Sequence, residues 1–413
     1  MKQRLIKGIL SSYYGQAITI LFQLLSVPLF LNYWGEEKYS EWIVIYTIPS
    51  IIGMMELGIF NVIINEIISL RNRMGGFNKE AYKLASTANT FLLLLSLTSI
   101  TMTLILFFYG NGYLYSLVFA YSTILILTNY YNVLFKITCE YHIASFIANT
   151  IRLLEYVFIF ACVYFGTTIQ IVFVLLLSVR AISLLLMFNF SVRKRNFCGI
   201  IRLCEFNFST HVHIGDIFKN SLLPISMIFN NQVLIILIKN YFGDVFVIMF
   251  STMRTFFRLS NQITSAINMS MWQEFLRIRG DREYIKSVLN NLLLVNFFIL
   301  LVLFFFYSIL GEYIYVFWTK DKISYDYFYY VSIMISVLFY SLWQPMYIYL
   351  NSLKCYFSYS FFYFLLQVII LLSLLSELFN FGEFVLILMM SEILMFSYLC
   401  RLTLFNRKLS ECI

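Results

Sequence analysis

From Phe297 to Phe306 the chain reads Phe-Phe-Ile-Leu-Leu-Val-Leu-Phe-Phe-Phe, with no polar side chain on any face. A helix made of these residues has no surface to give to water. Similar apolar runs recur along all 413 residues, and only 12% of the side chains are charged, against about 25% in a soluble domain. That much apolar surface cannot be folded into one globular core. The bilayer must be the solvent, and a helix needs roughly 20 apolar residues to cross it. The fold class expected is therefore an all-α integral membrane protein.

Twelve spans are predicted, at about 9–31, 42–66, 84–108, 117–135, 143–165, 171–190, 220–239, 245–272, 287–310, 327–350, 359–376 and 384–400. The first begins behind Lys2, Arg4 and Lys7 and is too long for a signal-peptide core, so it reads as a retained membrane helix. Pro28, Pro49, Pro224 and Pro345 all fall within apolar runs and mark kinks, which a helical bundle tolerates. Of the 29 basic residues, twenty-one lie in segments assigned to the inside, four outside (Lys38, Lys239, Lys320, Lys322) and four within spans. The positive-inside rule then places both termini in the cytoplasm, which requires an even number of spans.

Asn32-Tyr33-Trp34-Gly35 returns as Asn240-Tyr241-Phe242-Gly243, each copy closing the first span of a set of six. Such an echo points to two homologous lobes in parallel repeat, with boundaries expected at 1–205 and 206–413, around a central cavity. The net charge of +8 follows from the inside bias and gives no reason to expect nucleic acid.

Two spans carry polar seams. The first has Ser12, Gln16, Thr19, Gln23 and Ser26 at spacings of three and four. The eighth has Ser251, Arg254, Arg258, Asn261, Ser265 and Asn268. This spacing puts each set on one helical face. Polar seams often do no more than join helices. Two arginines near mid-span are different, because each costs roughly 2.5–3.5 kcal/mol at the bilayer centre and must face a bundle interior or a wet cavity. Arg180 and Arg152 are further intramembrane cations, and Glu56, Glu155 and Glu392 are the intramembrane acids, with Glu66 near an inner end. Glu155 follows Arg152 by three residues, so these two are expected to pair. Glu56 and Glu392 are candidates for counter-ions or for ion coupling. Gln16, Gln23, Asn261 and Ser265 are expected to line the cavity. A cationic chamber suits an anionic substrate, since guanidinium forks match phosphate oxygens.

Other chemistries find little support. Cys198, Cys204, His211 and His213 share one loop, but their spacing fits no zinc motif, so no metal is expected. No Gly-rich phosphate loop ending in Lys-Ser/Thr occurs, which argues against an ATP-driven pump. No cofactor is expected. The cysteines fall within spans or inside loops, so no disulfide framework is expected.

Several stretches resemble the bacterial O-antigen and polysaccharide flippase family of the MOP exporter superfamily. They are Pro28-Leu-Phe-Leu-Asn-Tyr-Trp-Gly35 with Tyr39-Ser40-Glu41-Trp42, Glu56-Leu57-Gly58-Ile59-Phe60-Asn61, and Tyr241-Phe242-Gly243 with Phe250-Ser251-Thr252-Met253-Arg254-Thr255. The patterns are diffuse but run the length of the chain. Glu56 stands where that family often has Asp, and Asn231-Gln232 stands where it frequently has Asp in the seventh span. The resemblance implies two six-helix bundles in the bacterial inner membrane. They would turn an undecaprenyl-pyrophosphate-linked oligosaccharide from the cytoplasmic to the periplasmic leaflet by alternating access, coupled to an ion. It implies that Arg254, Arg258, Arg180 and Arg152 hold the pyrophosphate, and that other polysaccharide-assembly membrane proteins are partners. A multidrug or metabolite exporter of the same fold is the alternative. A membrane polymerase is a further one, although the outside loops are too short for glycosyl-transfer chemistry. The function expected is transport, not catalysis.

Overall fold

A computed structural model describes residues 2–54, 79–108, 112–137, 141–193, 214–277, 282–353, 355 and 357–405. All the regular structure among them is helical. The helices are α1 (Lys2–Tyr33), α2 (Gly35–Met54), α3 (Lys79–Phe108), α4 (Tyr113–Ile137), α5 (Tyr141–Tyr164) and α6 (Ile169–Arg193). Then come α7 (Ile214–Ile228), α8 (Leu234–Phe242), α9 (Asp244–Arg277), α10 (Arg282–Thr319), α11 (Tyr327–Ser352), α12 (Phe357–Leu375) and α13 (Phe381–Cys400). A π turn at Phe229–Val233 fuses α7 and α8 into one rod, giving twelve rods for the twelve spans predicted, and a second π turn, Arg401–Phe405, ends α13.

Eight rods among the described residues are long and apolar enough to cross a membrane. The chain is a multi-pass membrane protein. α10 shows why: Phe298, Val302, Phe305 and Phe317 are exposed along it, a surface only lipid can cover. α9 falls outside the eight because its polar seam lowers its hydropathy.

The described helices form two compact units. One contains residues 1–18 and 44–228, the other 19–43 and 229–413. The boundary expected at 205/206 lies outside the described residues. Residues 19–43 group with the second unit although they belong to the first six spans.

In the first unit α3 packs on α4, and α6 packs on α4 and α5. Gly15 of α1 lies where a Cβ would come within 2.7 Å of the Asn149 side chain of α5. Asn149 Nδ2 uses that space to donate to the Ser11 carbonyl at 2.9 Å, so the small residue admits a polar tie between the helices.

In the second unit α9, α11 and α13 form the centre, and α11 is the most enclosed span, with 67% of its apolar window buried. The echoed glycines both adopt left-handed backbone, φ +74° at Gly35 and +92° at Gly243. The repeat is thus a pair of helix-ending turns that need a residue without a Cβ. The two turns are also tied to each other. Ser40 donates to Asp244 Oδ1 at 2.5 Å, and Lys239 pairs with Asp244 at 3.2 Å. Asp244, outside the spans, is held below the usual carboxylate range, first by the Ser40 hydroxyl and then by Lys239.

Pro28 explains another tie. Lacking an N–H, it leaves the Leu24 carbonyl four residues back without its helical donor. The Trp318 indole of α10 fills that role, donating to Leu24 O at 2.6 Å, and Lys322 donates to Leu31 O at 3.0 Å. Trp318→Phe should therefore destabilise the protein by about 1–3 kcal/mol, read as a lower thermal midpoint in detergent. A variant as stable as the parent would show that the carbonyl finds another donor.

Candidate functional site

The site starts from the π turn. Adjacent residues of an α-helix point about 100° apart, so Asn230 and Asn231 would ordinarily address different neighbours. The π turn at Phe229–Val233 widens the helix there and frees the Asn230 carbonyl for an outside donor. That donor is Arg254 of α9, whose Nη1 lies 2.6 Å from Asn230 O. Arg254 Nη2 donates to Asn230 Oδ1 at 3.0 Å and to Asn231 Oδ1 at 3.1 Å. Its guanidinium also lies 5.4 Å from the Phe250 ring centroid, one turn earlier.

Asn230 passes the connection on. Its Nδ2 donates to Glu392 Oε1 of α13 at 2.7 Å and to Tyr363 OH of α12 at 2.6 Å. Tyr363 donates in turn to Glu392 Oε1 at 3.0 Å, and the Trp343 indole of α11 donates to Oε2 at 2.8 Å. Glu392 is only 1% exposed, yet it accepts from three donors, which is how a buried carboxylate is made tolerable. It makes no direct ion pair with either arginine. Among the described residues the ion pairs are Arg180–Glu155 and Lys239–Asp244.

Arg258 stands differently from Arg254. It is half-buried and its single hydrogen bond among the described residues runs from Nη2 to Asn231 Oδ1, at 2.8 Å. Arg254, 8% exposed, has three. Both line a small cleft with Asn230, Asn231, Ser336, Val337, Tyr340 and Glu392, whose free volume is about 10 Å³. That is room for about one water, so in this conformation the cleft is closed down around its polar side chains.

The first unit holds its arginine in another way. Arg180 of α6 grips Glu155 of α5 with both prongs, Nε to Oε1 at 2.5 Å and Nη2 to Oε2 at 2.7 Å. Tyr121 of α4 donates to Oε1 at 3.0 Å, and its ring lies 5.8 Å from the guanidinium carbon. The expected Arg152–Glu155 pair is thus replaced. The i, i+3 rule names a neighbour on one helix, while the partner that satisfies both carboxylate oxygens comes from the next helix. Arg152 is half-buried with no hydrogen-bonded or ion-paired partner among the described residues.

The remaining candidates separate. Glu56 lies outside the described residues. Gln16 is half-buried in the first unit. Gln23 belongs to the second unit, where its Oε1 accepts from Gln262 Nε2 of α9 at 2.6 Å. Ser265 donates to the Gln262 carbonyl at 3.1 Å, and Asn261 Oδ1 is buried without a partner among the described residues. Sequence reasoning missed Asn230, Trp343, Tyr363 and Gln262. The signal available was Asn230-Asn231-Gln232 in the middle of an apolar span behind Pro224.

No protein-family model and no curated protein matches the chain. Its fold is similar to that of solved transporters. A multidrug resistance MATE family transporter of the MOP superfamily in an inward-facing conformation aligns with a TM-score of 0.66 at 15% identity, covering 97% of this chain and 98% of that one. An outward-facing conformation of such a transporter gives 0.62 at 14%, covering 100% and 96%. A MOP superfamily transporter from Pyrococcus furiosus, described by a reversed polarity of its binding pocket that suggests a different function, gives 0.58 at 15%, covering 100% and 96%.

Proposed function

We propose that the chain is an alternating-access transporter that flips a lipid-linked oligosaccharide across the bacterial inner membrane, with both termini in the cytoplasm. Arg258 is the principal contact for its pyrophosphate. The observation that carries this reading is a guanidinium lining a cleft, with one hydrogen bond and no carboxylate partner among the described residues. Arg254 is spent on Asn230 and Asn231, so its role is to hold the cleft's shape and charge. Arg180 is gripped by Glu155 and is a weak candidate for phosphate. The lipid tail would stay in the bilayer, which spares the protein the burial of a long apolar chain.

Export of small organic compounds is the second reading, favoured by the multidrug transporters of the same fold. Two arginines against one glutamate make the cleft unsuited to cations. The fold alone does not fix the polarity of the pocket, as the Pyrococcus furiosus transporter shows by its description.

The test uses the full chain in proteoliposomes with a fluorescent undecaprenyl-pyrophosphate disaccharide, following loss of leaflet protection from a membrane-impermeant quencher. Arg258→Ala is expected to slow flipping at least about tenfold, the effect of losing about 1.4 kcal/mol or more of charge-assisted contact. Flipping at the parent's rate by Arg258→Ala overturns the proposal. Uptake of a dye cation by the parent protein, with no flipping, would favour the exporter.

A further inference from the structure

Asn230 sits between two groups of opposite hydrogen-bonding character. A carboxylate can only accept and a guanidinium can only donate. Glu392 takes the Nδ2 end of the Asn230 amide and Arg254 Nη2 takes the Oδ1 end, so the two neighbours fix which way the amide lies. The guanidinium stays charged throughout, whereas a carboxyl can take up a proton. The amide therefore lies where it must respond to the protonation state of Glu392 and pass the change to Arg254.

The shell around Glu392 is built for the charged form. α13 packs against α11 and α12, which direct Trp343 and Tyr363 at the carboxylate, and Asn230 completes the set. All three donate. The other charged or titratable side chains lining the cleft with Glu392 are Arg254 and Arg258 of α9 and Tyr340 of α11, and none of these is hydrogen-bonded to it. Trp343 has no acceptor to offer, and the Tyr363 oxygen already accepts from Asn230. A proton on Glu392 therefore leaves two hydrogens facing each other unless a neighbour turns. Asn230 is the neighbour that can, because its amide carries an acceptor at its far end. When it turns, its NH2 meets Arg254, and Arg254 Nη2 loses its 3.0 Å bond to Oδ1. The cleft itself admits the proton, since its free volume of about 10 Å³ has room for about one water beside Glu392.

We infer that Glu392, Asn230 and Arg254 form a switch worked by a proton, which decides whether Arg254 is tied off or offered to an anion. This rests on the anion-binding reading of the cleft. With Glu392 charged, Arg254 holds Asn230 and the anion meets Arg258 alone. With Glu392 protonated, Asn230 turns and Arg254 stands beside Arg258 as a second contact. Protonation also removes a negative charge from beside the two guanidinium groups. The two events support each other. An anion in the cleft favours the neutral carboxyl, and the neutral carboxyl releases a guanidinium to the anion. Proton and anion thus bind together and do not exchange for one another. Affinity for the anion rises as pH falls, over the range in which Glu392 is charged in the free protein and neutral in the complex.

The test is calorimetric binding of methanedisulfonate, a dianion that stays fully charged throughout, to the full chain in nanodiscs between about pH 5 and about pH 9. Repeating each titration in buffers of different ionisation enthalpy counts the protons taken up. The parent is expected to take up close to one proton per anion, and to bind about tenfold tighter per pH unit lost within the titrating range. Glu392→Gln should keep the tight affinity at every pH and take up no proton. Arg254→Lys keeps the charge but not the fork. It should bind within about twofold of the parent at the alkaline end and about tenfold more weakly at the acid end, the loss of one charge-assisted contact. Anion binding by the parent without proton uptake overturns the switch and leaves the anion site standing. Binding at no pH overturns the anion reading. Proton uptake by Glu392→Gln overturns the role of Glu392. An equal loss in Arg254→Lys at both ends reduces the effect to simple charge and overturns the role of Arg254. That last comparison stands even if Glu392→Gln fails to fold.

Discussion

Arg180→Met alone should lower stability by about 3–5 kcal/mol, and Glu155→Leu added to it should return most of the loss. Glu155 is 2% exposed and is held by both prongs of Arg180 with Tyr121 alongside. Removing the arginine strands a carboxylate that neither lipid nor the apolar core can solvate. Removing both charges leaves two side chains of similar bulk in an apolar setting, where burial itself is favourable. Thermal unfolding in detergent reads the difference: a fall on the order of 10 °C for the single variant, and a midpoint near the parent's for the double. A double variant as unstable as the single one would mean that the Tyr121–Glu155–Arg180 cluster does more than neutralise its own charges.

Glu392→Leu should be as damaging, by about 3–5 kcal/mol, and it should also abolish flipping. Trp343, Tyr363 and Asn230 all direct donors at this carboxylate, and among the described residues it is the one carboxylate that lines the cleft with Arg254 and Arg258. Glu392→Gln separates the two contributions. An amide has one acceptor oxygen, so if that oxygen serves Trp343, the NH2 faces the NH2 of Asn230. The cost should be about 1–3 kcal/mol, and Asn230 should release Arg254. Combining Asn230→Leu with Glu392→Gln should then cost less than the sum of the singles, as coupled neighbours do. Strict additivity would show that Asn230 does not connect the carboxylate to the arginine. Thermal midpoints and flipping rates of the same four proteins check both statements.

Much of this was legible in the sequence. Apolar runs set the number of rods, since twelve runs of about spanning length admit little else. The spacing of Arg254, Arg258, Asn261 and Ser265 placed them on one face of α9, because helical periodicity is local. The glycine echo was legible as a repeat, and the structure adds that both glycines adopt left-handed backbone.

What escaped was tertiary. The i, i+3 rule assigned Glu155 to Arg152, whereas a helix 25 residues later supplies the better fork. Residues 19–43 read as part of the first six spans, and nothing local says that a helix groups with two units along its length. The ties from Ser40, Leu24 and Leu31 to Asp244, Trp318 and Lys322 hold that segment in the second unit. Asn230 and Asn231 were the least visible of all. Their joint address to Arg254 depends on a π turn, and a turn of that kind has no periodic signature to find.

That π turn has a genetic consequence. A π turn is what an α-helix becomes when it accommodates one surplus residue, and the surplus lies between Phe229 and Val233. Deleting any one codon there would let the rod close into plain α-helix. The rest of α8 would rotate by about 100° relative to α7, parting the two asparagines from their joint address to Arg254. A lineage discarding its anionic ligand could do so with one three-base deletion, and a lineage acquiring such a ligand could begin with the reverse event.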